Sequence, residues 1–526
     1  MKVLVLDNLN AAAIEVFSQA GIEADSMGKI TPLQLQNVIN NYVAVVVRGA
    51  TKITSEVINE ASRLRVIGRA GSGTDNIDIT AATKKGIVVM NTPGGNTITT
   101  AEHAIALLLS LARGIPQASA SMKEGKWEKK KFIGVELTNK VLGVVGLGNV
   151  GKIVAERAIG LKMKVIAYDP YISKEEALKI GVELVSIDEI YSRSDFITYH
   201  TPLTPETKGM LNNQAIKKMK KGIFIINCAR GALINENDVL KNLESGQIRG
   251  AALDVFSKEP PPKDTLLLKH PNVILTPHLG ASTLEAQKKV AILIAEQICD
   301  FLKKEIIKNS INFPSVPSEI LPILRPYLTL CERLGSFRGQ ILTKPLKELQ
   351  VEYMGKLTNL TTEPLTISIL KGLLQHQIED VNLVNARMAA EERGIKVKET
   401  KTKITDKYSS LIKITTETET EICSISGVVF ESTPKITHIN QYPIEADLSG
   451  SLLLLENLDV PGVIGSVGTL LGARNINIAG YQLGRNKQGG KAVSLINVDN
   501  KVPDDVLIEL VNLPNITSAK YLIFQT

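Results

Sequence analysis

Short apolar runs separated by longer stretches of helical character dominate roughly the first 310 residues. Buried parallel strands that alternate with helices produce this pattern. The runs that we interpret as strands are, in chain order, VLVL, VAVVV, RVIGRA, GIVVMN, VLGVVG, KVIAYD, FITYH, GIFIINCA, AALDVF and NVILT. This part of the chain is therefore predicted to be an α/β fold.

A long helix is predicted to divide these strands into two units. It begins near Thr99 or Thr100, with Glu102 in its first turn, and continues through HAIALLLSLARGI. The first strands precede this helix, and a glycine-rich motif follows it. We therefore expect two α/β units with this helix as the crossover between them.

The pattern changes beyond about residue 310. The segment INFPSVPSEILPILRP is rich in proline, and residues 396–422 alternate threonine, charged and aliphatic residues as half-exposed antiparallel strands do. The final residues, from Leu452 onward, show the pattern strand, turn, helix, strand and strand, which suits a small ferredoxin-like module. An α+β domain and a small terminal domain are therefore predicted to follow the α/β half.

Composition excludes several classes of protein. The chain has 526 residues, of which 44% are hydrophobic and 22% charged, so it can bury several cores. It contains no long uncharged apolar stretch, and MKVLVLDNLN does not resemble a signal peptide, so we expect a cytoplasmic protein without a membrane partner. The four cysteines form no CxxC pair, which argues against disulfides and a metal site. The net charge of +7 is spread along the chain and gives little support for nucleic-acid binding.

The clearest chemical motif lies in VLGVVGLGNVGKIVAERA. A strand leads to Gly146, Gly148 and Gly151 in GxGxxG spacing, and a helix follows. The first glycine permits a tight turn, the second lets a pyrophosphate approach the backbone, and the third lets helix and strand pack closely. Asp169 ends the next strand, where it can accept hydrogen bonds from ribose hydroxyls and would repel a 2′-phosphate. The motif predicts NAD rather than NADP as cofactor.

Three later strand ends each carry a charged side chain. They are Arg230 in INCARGAL, Glu259 in ALDVFSKEPP and His278 in LTPHLGAST. Because ligands of open α/β sheets bind beyond the carboxyl ends of the strands, these groups can converge on a nicotinamide. Oxidation of an alcohol needs a base, a cation for a neighbouring carboxylate, and a group that sets the pKa of the base. The remaining histidines are expected to be structural: His103, His200, His270, His376 and His438.

The order of these motifs resembles the NAD-dependent D-2-hydroxyacid dehydrogenase family. The segments GLGNVG, YDP, HTPLTPETKGMLN, NCARG, ALDVFSKEPP and PHLGAST carry the resemblance. The segments GRAGSGTDNID, NTPGGNT and SMKEGKWEKKKFIG resemble, more narrowly, the long members that oxidise 3-phosphoglycerate to 3-phosphohydroxypyruvate in serine biosynthesis. The tail from Leu452 is similar to the ACT domain of those members.

The resemblance implies four domains and a homo-oligomer, either a dimer or a tetramer. The substrate-binding domain would comprise residues 1–98 and 284–308, and the NAD-binding Rossmann domain residues 99–283. An intervening α+β domain would span residues 309–447, and a ferredoxin-like ACT regulatory domain residues 448–526. Closure of the first two domains is expected to expel water and to bring hydride donor and acceptor together.

The resemblance also implies roles for single residues. Arg230 would clamp the substrate carboxylate, His278 would exchange the hydroxyl proton, and Glu259 would fix the tautomer of the histidine. Contacts to NAD are expected from Ser72, Gly146, Gly148, Asn149, Val150, Gly151, Asp169, Thr201, Cys228, Ala229, Arg230, Asp254, His278, Gly280 and Ala281.

Cations are expected at the phosphate end of the substrate, opposite Arg230. Arg48 in VVVRGATKIT and Arg69 in VIGRAGSGTDN follow apolar strands, and Asn96 in NTPGGNT lies in a loop that can face the cleft. These three residues match substrate contacts of the resembled enzymes. The lysine run 129–131 either adds positive potential, here or in a neighbouring subunit, or forms a solvated face.

In the terminal module, Asn457, Asp459 and Asn477 are candidates for an effector site. Asp459 and Asn477 match positions at which related ACT domains bind serine across a dimer interface. Asn457 stands where a bulkier residue is expected. Feedback inhibition by serine is therefore a hypothesis at this point.

Two other functions stay open at this point. A glyoxylate or hydroxypyruvate reductase would share Arg230, Glu259 and His278, but it would not need the terminal module and often prefers NADP. An NAD-sensing corepressor would share the fold, but the intact set of three side chains argues against it. A formate dehydrogenase is disfavoured because a glutamine is expected there in place of Glu259.

Overall fold

The computed structural model describes residues 1–317, 319–404 and 407–524. These residues form sheets of five, seven, six and four strands in chain order. Each sheet lies inside one of the four residue ranges inferred above, although Gln525 and Thr526 at the end of the last range lie outside the described residues. The predicted class, two Rossmann-like units followed by two α+β units, is confirmed. The exact domain boundaries stay predictions.

The first unit is a parallel sheet with helices on both faces. It consists of β1 (Lys2–Val5), α1 (Ala12–Gln19), β2 (Glu23–Ser26), α2 (Pro32–Val38), β3 (Ala44–Val47), α3 (Ser55–Glu60), β4 (Val66–Arg69), α4 (Ile79–Lys84) and β5 (Val88–Asn91). The strand order is β2-β1-β3-β4-β5. Strand β2 was not predicted because its sequence, EADS, lies at the sheet edge and contains no apolar run.

The second unit has the doubly wound arrangement. It consists of α5 (Thr97–Arg113), α6 (Ile115–Lys123), β6 (Val141–Val145), α7 (Asn149–Gly160), β7 (Lys164–Tyr168), α8 (Lys174–Lys179), β8 (Glu183–Leu184), α9 (Ile187–Arg193), β9 (Phe196–Tyr199), α10 (Asn213–Lys217), β10 (Ile223–Asn227), α11 (Glu236–Glu244), β11 (Ile248–Leu253) and β12 (Val273–Leu275). All strands are parallel, in the order β12-β11-β10-β9-β6-β7-β8. The winding direction reverses between β6 and β9, and open sheets bind ligands beyond such a switch point.

Helix α5 leads from the first unit into the second and packs against α7, β10 and β11. It begins at Thr97, two or three residues before the predicted start, so Glu102 lies in its second turn. The reason is that Thr100 does not cap the helix: its hydroxyl donates to the carbonyl of Asn96, one turn back, at 2.9 Å.

Among the described residues no single helix is long and apolar enough to cross a membrane; only the pair α5 and α6, bent by 64°, could do so on length and composition.

Helix α12 (Leu284–Lys304) returns from the second unit to the first, where it packs on α1 and β4. The contact with β4 is close: a Cβ atom on Gly68 would lie 2.6 Å from a methyl carbon of Ile298 and 2.8 Å from Cγ1 of Ile294. Arg69 is the last residue of β4. The packing of α12 therefore fixes the strand end that carries a candidate substrate ligand.

The third unit combines helices with a mixed six-stranded sheet. It consists of α13 (Leu321–Ile341), β13 (Glu348–Gly355), α14 (Glu363–Leu374), α15 (Ala386–Glu392), β14 (Lys396–Thr402), β15 (Ser410–Glu417), β16 (Ile422–Phe430), β17 (Thr433–Ile439) and β18 (Tyr442–Asp447). Helices α13 and α14 pack through glycines; a Cβ atom on Gly335 would lie 2.1 Å from the carbonyl oxygen of Ile369. The two helices therefore pack with their backbones close together, and α13 lies against β16 and β17 of the sheet.

The fourth unit is an antiparallel sheet with two helices. It consists of β19 (Gly450–Leu458), α16 (Val463–Ala473), β20 (Ile478–Arg485), β21 (Lys491–Val498), α17 (Asp504–Asn512) and β22 (Ile516–Phe524). The strand order is β20-β21-β19-β22. This βαββαβ topology is ferredoxin-like, as the sequence pattern predicted.

Replacing Ile294 by alanine is expected to destabilise the first unit. Ile294 is fully buried between α12 and the sheet, so the truncation leaves a cavity and lowers the free energy of unfolding by about 2–5 kcal/mol. Urea-induced unfolding measures the change. The control is Lys289→Ala on the exposed face of the same helix, which should stay within about 0.5 kcal/mol of the wild type. Equal transitions in the two variants would contradict this packing.

Candidate active site

The glycine motif forms the turn between β6 and α7, at the switch point of the second sheet. Gly146 has φ +93°, and a Cβ atom there would lie 2.7 Å from the carbonyl oxygen of His200. A Cβ atom on Gly151 would lie 2.0 Å from the carbonyl oxygen of Gly146. At Gly148, in contrast, an added Cβ atom would meet nothing within 4 Å. The first and third glycines are thus required by the fold, whereas the second faces open space.

That open space fits the pyrophosphate of a dinucleotide. Asn149 and Val150 begin α7, where the first N–H groups of a helix have no partner within the helix and favour anions. Asp169 lies beside the same turn, with Oδ2 accepting from the N–H of Leu147 at 2.8 Å and Oδ1 accepting from the N–H of Tyr171 at 2.9 Å. The structure therefore places Asp169 beside the glycine turn, as the prediction of a dinucleotide site requires.

His278 and Glu259 form a hydrogen-bonded pair in the cleft. The distance between Nδ1 of His278 and Oε2 of Glu259 is 2.7 Å, and Oε1 accepts from the N–H of Phe256 at 3.1 Å. The Glu259 hydrogen bond raises the pKa of His278 above its usual value, against the opposing effect of burial. Burial alone would raise the pKa of Glu259, but the bonds from His278 and Phe256 outweigh it and the net pKa is lowered.

Asp254, at the end of β11, holds the loop that carries His278. Its carboxylate is fully buried, and it accepts from the hydroxyl of Thr276 at 2.6 Å and from the N–H groups of Leu279 and Gly280 at 2.7 and 2.9 Å. The carbonyl of Asp254 also accepts from the N–H of His278, whose φ is +55°. Burial would raise the pKa of Asp254, but these hydrogen bonds, with one to His103, lower it overall.

His103 belongs to this network, although the sequence analysis left it structural. Its Nε2 lies 3.2 Å from Oδ1 of Asp254 and 3.2 Å from the hydroxyl of Thr276. The side chain projects from α5, about 150 positions before its partners. Nothing in the residues around His103 signals this contact, because it exists only where α5 packs beside β11 and β12.

The other histidines do not reach the His278–Glu259 pair. His200 bonds the hydroxyl of Thr198 at 2.9 Å, and burial lowers its pKa to about 4, so it stays neutral. His270 accepts from the N–H of Asn272, while His376 and His438 lie in the third unit. The structural interpretation of these four residues agrees with their surroundings.

Arg230 follows β10 and lies between the two units. Its Nη1 donates to the carbonyl of Ala229 at 2.8 Å. Its Nε lies 3.0 Å from Oδ2 of Asp75, which belongs to the loop after β4 in the first unit. A side chain of the second unit is thus paired with a side chain of the first, and Asp75 was not among the residues that the sequence analysis selected.

Three guanidinium groups come together in the cleft. Burial, and then the positive charges of Arg230 and Arg48, lower the pKa of Arg69 to about 10. Nη1 of Arg69 donates to the carbonyl of Ala70, whereas its Nε is buried and has no hydrogen-bond partner within the described residues. Such a cluster favours an anion, because an anion would offset the mutual repulsion and satisfy the buried donor.

Ser72 and Asn96 join the first unit to the His278 loop. The hydroxyl of Ser72 donates to Oδ1 of Asn96 at 2.8 Å, and Nδ2 of Asn96 lies 3.4 Å from the hydroxyl of Thr100. The same hydroxyl lies 3.0 Å from the carbonyl oxygen of Gly280, and Ala281 follows in the same loop. The predicted contacts from the two units are therefore neighbours.

Thr201 and Cys228 lie near the ends of β9 and β10. The hydroxyl oxygen of Thr201 is buried without a partner among the described residues, beside the glycine turn. Burial raises the pKa of Cys228, so its thiol stays protonated. The buried thiol is therefore unsuited to act as a nucleophile.

The lysine run and the effector candidates lie away from this centre. Lys131 is exposed and lies 3.5 Å from Glu128. In the fourth unit each candidate has a partner of its own: Asn457 accepts from Ser494, Asp459 from Arg485, and Asn477 donates to Asp499. Their role stays a prediction.

Comparison with known proteins identifies the family of the chain. The family model "D-isomer specific 2-hydroxyacid dehydrogenase, NAD binding domain" matches residues 105–280, and the model "D-3-phosphoglycerate dehydrogenase intervening domain" matches residues 323–440. The D-3-phosphoglycerate dehydrogenase of Archaeoglobus fulgidus is 43% identical over 99% of this chain and 100% of its own. That of Methanocaldococcus jannaschii is 44% identical over 98% of both chains.

The chain belongs to the D-3-phosphoglycerate dehydrogenase family. It is an NAD-dependent oxidoreductase, and the resemblance inferred from its motifs is confirmed. Among solved structures, it is similar to the NAD-dependent formate dehydrogenase of Staphylococcus aureus in complex with NAD, with 29% identity and a TM-score of 0.55 over 60% of this chain and 100% of that one.

Replacing Gly148 by alanine is expected to weaken NAD binding without destabilising the fold. The added methyl group would meet no protein atom but would occupy the space of the pyrophosphate, which should raise the Kd by about tenfold. Calorimetric titration with NAD and thermal unfolding test the two halves of this expectation. Gly160→Ala, at the last residue of α7 and equally unobstructed, is the control. An affinity of Gly148→Ala for NAD equal to that of the wild type would contradict binding of the pyrophosphate at this glycine turn.

Proposed function

We propose that the protein oxidises 3-phospho-D-glycerate to 3-phosphohydroxypyruvate with NAD, as the first step of phosphorylated serine biosynthesis. The observation that carries the proposal is the cluster of Arg48, Arg69 and Arg230, with the His278–Glu259 pair in the same cleft. A substrate with a carboxylate at one end and a phosphate at the other matches several cations beside one base. The names of the relatives support the same reaction.

His278 is proposed as the proton acceptor for the substrate hydroxyl. Its Nδ1 is engaged by Glu259, so Nε2 is the nitrogen available to the substrate. Bound NAD supplies the acceptor for the hydride. Glu259 keeps the proton of the neutral imidazole on Nδ1 and stabilises the imidazolium once Nε2 has taken the hydroxyl proton. In the reverse reaction the imidazolium returns the proton to the carbonyl oxygen.

Arg230 is proposed to bind the carboxylate next to the reacting carbon. A guanidinium can offer two parallel N–H groups to a carboxylate, which orients the substrate as well as holding it. Arg69 and Arg48 are proposed for the phosphate, with Asn96 beside them. The buried, unpartnered Nε of Arg69 supports an anion at this end.

The residues described above at the glycine turn and in the cleft are proposed to contact NAD. The N–H groups of Asn149 and Val150 would face the pyrophosphate, and Asp169 would bind the ribose hydroxyls. The side chains and backbone that surround the nicotinamide would come from both units: Ser72, Thr201, Cys228, Ala229, Asp254, Gly280 and Ala281.

A reductase for glyoxylate or hydroxypyruvate is the weaker candidate. Such a substrate carries one anionic group, which Arg230 alone could bind, and it gives no reason for Arg48 and Arg69 to lie close together. A corepressor would not need a base with a raised pKa beside a cofactor site.

Assembly, location and regulation are also proposals. A homo-oligomer is supported by four apolar side chains that are more than half exposed in and after α6: Ile115, Met122, Trp127 and Ile133. A cytoplasmic location is supported by the four cysteines, all described and all unpaired. Binding of serine to an ACT domain is supported by the ferredoxin-like topology of the fourth unit.

Formation of NADH from 3-phosphoglycerate and NAD tests the proposed reaction. The wild type should be active, and His278→Ala should lose roughly 10²- to 10⁴-fold in kcat because the proton acceptor is gone. Its Kd for NAD should stay within a few-fold of the wild type, which separates lost chemistry from lost cofactor. Comparable kcat values in the two proteins would remove His278 from the proton transfer.

Replacing Glu259 by glutamine is expected to shift the pH profile downward. Glu259 raises the pKa of His278, so removing its charge lowers that pKa. Oxidation needs the neutral imidazole, and its acid limb should move to lower pH; reduction needs the imidazolium, and its alkaline limb should also move to lower pH. The measurement is kcat/KM against pH in both directions. An upward shift of either limb would contradict the role of the pair.

A further inference from the structure

The short loop of residues 71–76, with the sequence GSGTDN, contacts two of the three arginines of the cleft. A Cβ atom on Gly71, which has φ +140°, would lie 1.7 Å from Nη1 of Arg69. A Cβ atom on Gly73 would lie 2.1 Å from Nη2 of Arg230. Both glycines therefore leave room for a guanidinium, one from the same unit and one from across the cleft.

Asp75 holds the guanidinium of Arg230 from one side. Its Oδ2 lies 3.0 Å from Nε, while the carbonyl of Ala229 takes one N–H of Nη1. Nη2 and the second N–H of Nη1 have no hydrogen-bond partner within the described residues and can donate to a carboxylate. Because Asp75 belongs to the first unit and Arg230 to the second, the pair forms only when the two units face each other.

Asn76, the next residue, holds the loop of Arg48. Its Nδ2 donates to the carbonyl of Arg48 at 2.8 Å and to the carbonyl of Thr51 at 2.7 Å. Asp7 supports the same loop by accepting from the N–H of Arg48 at 2.8 Å. Two adjacent side chains of the 71–76 loop thus fix one arginine on each side of the cleft.

We propose that Asp75 is a positioning residue that orients Arg230 for the substrate carboxylate when the two units close. With Asn76 beside it, the 71–76 loop sets the distance between the cation for the carboxylate and the cation for the phosphate. The loop thereby selects the length of the substrate as well as its charge. The inference rests on the proposed function, since it assumes that Arg230 binds the carboxylate.

Reduction of 3-phosphohydroxypyruvate and of hydroxypyruvate by NADH tests the inference with Asp75→Ala and Asp75→Asn. Asp75→Ala should lower kcat/KM by about tenfold. Loss of an exposed ion pair alone has about a few-fold effect, whereas a misplacement of the substrate by about 1 Å costs about a hundredfold in rate, and the expected loss lies between the two. The loss should be equal for both substrates, because both carry the carboxylate. Asp75→Asn, which keeps the size of the side chain but removes its charge, should lose as much activity as Asp75→Ala, since the contact with Nε is an ion pair.

Two controls separate positioning from other effects. Arg48→Gln should lose more activity with the phosphorylated substrate than with hydroxypyruvate. Asp188 forms an ion pair with Lys218 far from the cleft, and its side chain is about as exposed as that of Asp75. Asp188→Ala should therefore leave the rates unchanged. The Kd for NAD and the Tm of Asp75→Ala should match the wild type.

Two results would overturn the inference. One is a kcat/KM of Asp75→Ala within twofold of the wild type, and the other is a loss confined to the phosphorylated substrate. A wild type that does not reduce 3-phosphohydroxypyruvate would instead refute the proposed function, so the two failures are distinguishable.

Discussion

The arrangement of the site depends on one buried carboxylate, that of Asp254. A buried charge is costly unless donors surround it, and here the donors are the hydroxyl of Thr276 and the N–H groups of Leu279 and Gly280, with His103 within hydrogen-bonding distance. These bonds define the backbone on both sides of His278, including its positive φ. The main chain therefore fixes the position of the His278 side chain, and Glu259 in addition orients its ring.

The opposite side of the cleft is defined by an excess of positive charge. Burial and the neighbouring guanidinium groups disfavour the charged form of Arg69, so an anion between the arginines is stabilising. Asp75 supplies a local counter-charge to Arg230 from the first unit. The same ion pair joins the two units, so the position of the Arg230 guanidinium depends on how the units face each other.

The third unit contacts the first through hydrogen bonds and an ion pair. Residues after α12 continue along β5, where the N–H of Ile311 donates to the carbonyl of Val89 at 2.8 Å. Nδ2 of Asn382 donates to the carbonyl of Gly86 at 3.0 Å, and Lys84 lies 3.2 Å from Glu392. Closure of the first unit over the second would therefore displace the third unit with it.

The sequence alone determined the α/β class, the ferredoxin-like end and the NAD motif, and it selected Arg230, Glu259 and His278 as candidates, because these depend on local patterns of apolar runs, glycines and strand ends. The tertiary structure alone decided that His103 bonds Asp254 and that Asp75 pairs with Arg230. Their partners lie about 150 positions away along the chain, and such contacts arise from how helices and sheets pack, which no local pattern records. Strand β2 was missed for a related reason: an edge strand is held by backbone pairing with its neighbour, and that pairing leaves no apolar signature.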